Sequence, residues 1–131
     1  MAQWSVPFDK IAKKIGGDLL DVVKESSLFI FSRIILLSPV DTGRFRANWI
    51  CSLDQPIDAT REEEDKSGSI TIERADKVIS SMLISQKVFL VNNLPYAYRL
   101  EHGWSQQAPR GMVEVAAQDF QGTVKRILKR K

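Results

Sequence analysis

Apolar residues recur with a period near 3.6 over residues 8–37. Phe8, Ile11, Ala12, Ile15, Leu19, Val22, Val23, Phe29, Ile30, Ile34 and Leu37 fall close to one face, which predicts a long N-terminal helix. Pro7 suits its first turn. Gly16 and Gly17 each cost about 1 kcal/mol relative to alanine inside a helix, so a kink is expected there. From Leu28 onward the helix is apolar nearly all round, as for a helix covered on several sides by a sheet and by another subunit. Pro39 ends it, and residues 38–43 read as a turn. Asp41 or Thr42 can cap a short helical segment over residues 43–47.

The middle of the chain changes period. Residues 49–53, WICSL, have the composition of a strand, with Cys51 a small buried apolar group. Residues 54–68 carry Pro56, the run Glu62, Glu63, Glu64, Asp65 and few apolar groups, which predicts a mobile acidic loop. A helical stripe returns at Ile72, Ala75, Val78, Ile79, Met82 and Leu83, with a short strand near Ile70 as the alternative reading of its start. Residues 87–91, KVFLV, are the clearest strand, and their apolar character on both faces predicts a central position.

Residues 94–113 concentrate the local specification. Asn92, Asn93 and Pro95 signal a turn. A short helix then carries Tyr96, Tyr98 and Leu100 and stops at Gly103. After the polar loop from Trp104 to Gln107, Pro109 opens the last predicted helix, which runs to Lys131 with Met112, Val113, Ala116, Phe120, Val124, Ile127 and Leu128 on one face. The expected fold class is α+β: one domain over residues 1–131, in which a small, mostly antiparallel sheet packs against the long N-terminal helix and the C-terminal helix. Two or three strands are marginal alone, so the helices must cover them.

Composition narrows the chemistry. The chain has 131 residues, 44% hydrophobic and 27% charged, with a net charge of +3. One cysteine excludes an internal disulfide and suggests a reducing compartment. No secretory signal is visible, and the longest apolar run, residues 28–37, falls short of the roughly 20 residues of a membrane span. His102 beside Glu101 is the sole candidate base, and i, i+1 neighbours on a helix point apart, so no enzyme is expected. Four consecutive carboxylates do not converge on one ion without a turn, so neither a metal nor another cofactor is expected. Arg44 and Arg46 bracket Phe45, either as solvated side chains or as a pair offered to a carboxylate or phosphate. Lys125, Arg126, Lys129, Arg130 and Lys131 suit a helix C-terminus, and can also face DNA or an acidic partner.

Two segments together are more specific than any of this. SPVDTGRFRANW, residues 38–49, and NNLPYAYRLEHGWSQQAPRGMV, residues 92–113, resemble the tail-component family of tailed bacteriophages typified by HK97 gene product 10. The resemblance rests on Pro39 to Arg46, Asn48 and Trp49. It rests also on Asn93, Pro95, Tyr96, Ala97, Leu100, Glu101, Gly103, Ser105, Gln107, Ala108, Pro109, Gly111, Met112 and Val113. It implies a structural virion protein at the head–tail junction, assembled in the host bacterial cytoplasm. Such a tail completion or neck protein forms a ring, hexameric by expectation, between head-side connector proteins and the tail terminator or tail tube, and lets DNA pass. A tail terminator is the nearest alternative, and a small DNA-binding regulator is the alternative from another class. On this reading the subunit or partner contact comprises Tyr96, Tyr98, Glu101, Trp104, Gln107, Pro109 and Met112 with Asp41, Phe45 and Trp49. Arg44, Arg46 and the basic end at Lys125, Arg126, Lys129, Arg130 and Lys131 are then candidates for the DNA channel or an acidic partner.

Overall fold

A computed structural model describes residues 19–130. The start of the first predicted helix, the Gly16–Gly17 kink and Lys131 lie outside the described residues.

Helix α1, Leu19–Leu37, buries Val22, Val23, Ser26, Ser27, Ile30, Ile34 and Ile35 along one side. The turn after it leads through the short helix α2, Arg44–Ala47, into strand β1, Trp49–Leu53. An irregular stretch then reaches α3, Ser69–Ser80. Strand β2, Val88–Asn92, follows, then the one-turn helix α4, Ala97–Glu101. Two helices close the described chain, α5 at Val113–Gln118 and α6 at Phe120–Arg130. This is the expected α+β architecture, with a small antiparallel sheet beside the long N-terminal helix and the C-terminal helices. Among the described residues no helix is long and apolar enough to cross a membrane.

The sheet has two strands, paired antiparallel with Trp49 opposite Asn92, Ile50 opposite Val91 and Cys51 opposite Leu90. On the Cys51 face, Ala75 and Ile79 of α3 form a small core with Cys51, against which Leu28 and Phe31 of α1 and Leu90 of β2 pack. Burial pushes the Cys51 thiol up to about 12. The larger core joins Ile30, Ile34 and Ile35 of α1 to Phe45, Trp49, Leu94, Met112, Ala116, Phe120, Val124 and Ile127. Helix α1 therefore packs against α3 and against α5 and α6.

Three expectations are corrected. Strand β2 is not central, because among the described residues the sheet has two strands. No third strand forms near Ile70. The stretch is the first turn of α3, where the stripe Thr71, Ala75 and Ile79 is buried and β-branched composition yields to that packing. The last helix starts at Val113 rather than Pro109, because Gly111 takes a φ of 83° in the turn before it, and it is interrupted at Asp119.

Residues 54–68 are the stretch expected as an acidic loop. They form no helix or strand, as the composition implied, but their second half is fastened to the domain. Asp65 is 6% exposed. Its carboxylate accepts the Thr71 N–H at 2.8 Å, the Thr71 hydroxyl at 2.7 Å and the Gly68 N–H at 3.2 Å, and so caps α3 from outside the helix. Burial pushes the Asp65 carboxyl up. The Thr71 amide and hydroxyl, the Gly68 amide and the Ser67 hydroxyl outweigh it and hold the group below the usual carboxylate range. A folded-state value below the unfolded one of about 3.9 gives stability that is present above that pH and lost as pH falls through the folded value. Urea titrations taken down from neutral pH should show this acid loss in the native sequence and a shallower one in Asp65→Asn. Equal slopes would remove Asp65 from the account.

Candidate interaction surface

The two segments that carry the family resemblance meet in space. In the first, Gly43 takes a φ of 92°. Its carbonyl accepts the N–H groups of Ala47 and Asp65, each at 3.0 Å. A Cβ there would lie 2.7 Å from the Lys66 nitrogen, so only glycine lets the turn approach the acidic stretch. Of the two expected caps for α2, Thr42 accepts the Arg44 N–H, at 3.2 Å.

The arginine pair is tied inward. Arg46 donates to the carbonyls of Lys66 at 2.7 Å, Leu36 at 2.9 Å and Ser38 at 2.7 Å. Burial lowers its pKa, with the Asp65 charge opposing. Arg44 donates to the Arg61 carbonyl at 3.3 Å and to Glu62 at 3.3 Å. Of the two readings, the solvated pair does not describe them, and Arg44 meets a carboxylate, that of Glu62, within its own chain. They staple the turn to residues 61–66. Asn48, fully buried, works beside them. Its amide donates to the carbonyls of Arg44 at 2.7 Å and Arg61 at 2.9 Å, and its oxygen accepts the Arg61 N–H at 2.7 Å.

The second segment locks onto the first. Gln107 accepts the Val40 N–H at 2.8 Å and donates to the Val40 carbonyl at 3.0 Å. Asn92 donates to the Phe45 carbonyl at 2.9 Å. The Phe45 ring lies 5.9 Å from Trp49, edge to face, and 5.8 Å from Tyr96. The Trp49 indole N–H donates to the Ser38 hydroxyl at 2.7 Å, which in turn donates to the Ile34 carbonyl at 2.8 Å.

Glu101 holds the far side together. Its carboxylate accepts the N–H groups of Met112 at 3.0 Å, Val113 at 2.9 Å and Glu114 at 3.0 Å, which caps α5. Gly103 and Gly111 allow the approach, since a Cβ would lie 2.5 Å from the Pro109 carbonyl oxygen in the first case and 2.2 Å from the Glu101 carbonyl oxygen in the second. Glu101→Gln keeps the shape, removes the charge at the positive helix end and turns a donor towards an N–H. A loss of about 1–2 kcal/mol is expected in denaturant unfolding, and an unchanged midpoint would show that water satisfies those amides equally well.

The predicted contact residues now divide. Phe45, Trp49 and Met112 are 6%, 7% and 1% exposed and belong to the chain's own core, which corrects their place in a subunit contact. Glu101 is engaged with α5. Tyr98 and Trp104 stand out from the same unit at 69% and 71% exposure, with Tyr96 partly covered and Asp41, Gln107 and Pro109 exposed at its rim. Arg99 lies over the Trp104 ring, 4.9 Å from its centroid, and the His102 ring lies 4.2 Å from Tyr98. Between this unit, the end of β2 and the start of α5 runs a groove of about 410 Å³, lined by Leu90, Leu94, Tyr98, His102 and Met112 among others.

Lys125, Arg126, Lys129 and Arg130 are exposed on α6, far from this unit in sequence. Arg126 donates to Thr123, and Arg130 pairs with Glu25. Among the described residues no group of three or more His, Cys, Asp or Glu side chains converges to hold a metal ion. The residues that reasoning from sequence missed are Asn48, Asp65 and Glu101 as structural ties, since each bonds groups outside its own turn. Comparison with family models, with curated proteins and with solved structures returns no match.

Proposed function

We propose that this chain is a structural subunit of the head–tail junction of a tailed phage, a tail completion or neck protein that closes into a ring through which DNA passes. The observation that carries this reading is the clasp between residues 38–49 and 92–113. The two stretches that resemble the phage family are joined by the Val40–Gln107 pair, the Phe45–Tyr96 contact and the Asn92–Phe45 bond. They present Tyr98 and Trp104 outward on a framework fixed by Glu101 and two glycines. Rigid, exposed aromatics with an arginine alongside are what protein interfaces use as anchors. The neighbours on this reading are further copies of the chain, the head-side connector proteins and the tail terminator or tail tube.

Tyr98→Ala with Trp104→Ala tests it. Both side chains are exposed, so the thermal midpoint should hold within about 0.5 kcal/mol of stability. Assembly, alone or on purified tails, should weaken by at least about a hundredfold, in line with two lost anchors at about 2 kcal/mol each. Normal ring formation by the double variant would refute the contact.

A further inference from the structure

The charges of this chain gather in separate patches. Helix α6 presents Lys125 and Lys129, four residues apart and so on one face, both exposed and both without a partner among the described residues. No acidic residue occurs within α6. The helix is held to α1 by Arg130 with Glu25, and the Asp119 just before it bonds Arg33 at 2.8 Å, so its basic face is rigidly presented. Residues 58–64 are fastened beside α2 and α3 by Arg44 with Glu62 and by Arg74 with Glu63. There Asp58 and Glu64 are exposed without a partner among the described residues, and the Glu62 side chain is 90% exposed. Among the described residues no ion pair joins α6 to residues 58–64 within one molecule.

We propose that the basic face of α6 docks on a second copy of this chain, against the acidic stretch at residues 58–64. The partner is argued from complementarity: one subunit carries a cationic helix face and, as a separate patch, an anionic stretch. That is the arrangement a head-to-tail, heterologous contact requires, and such contacts close into rings when the rotation permits. Opposed charges across an interface fix its register and steer encounter, so assembly through this contact weakens as salt rises. The inference rests on the ring reading above and names the surfaces that join neighbours, with Tyr98 and Trp104 as the apolar part of the same boundary.

The test is a charge swap followed by sedimentation velocity and native mass spectrometry, alone and on purified tails, at low and high salt. Lys125→Glu with Lys129→Glu, and separately Asp58→Lys with Glu64→Lys, should each weaken assembly about tenfold or more at low salt. All four residues are exposed, so thermal midpoints should stay near the original. The chain carrying all four changes, and an equimolar mixture of the two double variants, should regain assembly, because opposed charges meet again in both. Rings that form equally well in every double variant would overturn the contact and leave the ring reading standing, as would a fourfold variant that folds without regaining assembly. Loss of duplex-DNA affinity by the Lys125→Glu, Lys129→Glu chain with its assembly intact would also overturn it, and would assign the basic face to DNA. A native chain that never assembles would overturn the ring reading together with the contact.

Discussion

Replacing Gly111 by alanine is expected to cost the fold about 3–5 kcal/mol. Two terms contribute. The backbone sits at a φ of 83°, where a side chain costs about 1–2 kcal/mol. The new Cβ would also lie 2.2 Å from the Glu101 carbonyl oxygen and 2.8 Å from its carboxylate. The first of these is backbone, so α4 or the turn before α5 must move, at a cost of about 1–3 kcal/mol. Movement there also breaks the three bonds from Glu101 to the start of α5. Against a domain stability of about 5–15 kcal/mol, the variant should be partly unfolded at working temperature or show a midpoint lowered by more than about 10 °C. Urea unfolding measures it directly. A loss below about 1 kcal/mol would mean that the turn is far looser than its geometry indicates. Gly103 is under the same constraint against Pro109, whereas Gly122 has open space around it and should accept alanine.

Asn48→Ala should be nearly as damaging, at about 3–4 kcal/mol. The side chain is fully buried and serves three backbone groups, two carbonyls and one N–H, that join α2 to the acidic stretch. Removing it takes the partner from the Arg44 carbonyl and the Arg61 N–H and leaves the Arg61 carbonyl only its 3.3 Å bond from Arg44, and each unsatisfied group costs about 1–3 kcal/mol, less whatever relaxation recovers. The loss should be local as well as global. Hydrogen exchange at Arg61, whose amide bonds the Asn48 oxygen, should accelerate even under conditions where the core amides of α1 stay protected. Unchanged protection at Arg61 would contradict the claim that Asn48 pins the stretch.

These residues also mark where reading from sequence stops. The described part of α1 was legible because its buried positions follow a 3.6 repeat over nineteen residues. Both strands were legible from β-branched and aromatic runs bounded by turn residues. The start of α3 was ambiguous because Ile70, Thr71 and Ile72 suit a strand locally, and what decides for helix is the Asp65 carboxylate reaching Thr71, six residues on. Local patterns also missed that Arg44 and Arg46 turn inward, since their partners are carbonyls up to twenty residues away. The clasp itself joins Val40 to Gln107 across 67 positions, beyond anything periodicity or capping rules can see. The resemblance placed those two segments in one family pattern without saying how they touch. For the surface, aromatic content alone does not separate anchors from core: Phe45 and Trp49 are buried while Tyr98 and Trp104, of the same chemical kind, are exposed.

The central claim is that this chain acts as one subunit of a ring at the head–tail junction. Native mass spectrometry of the purified protein, with electron-microscope class averages of the protein alone and after mixing with phage tails, tests it most directly. The account predicts a closed ring of identical subunits, either free in solution or formed only on the tail end. A chain that stays monomeric or dimeric, adds nothing to tails and binds duplex DNA with strong salt dependence would contradict it.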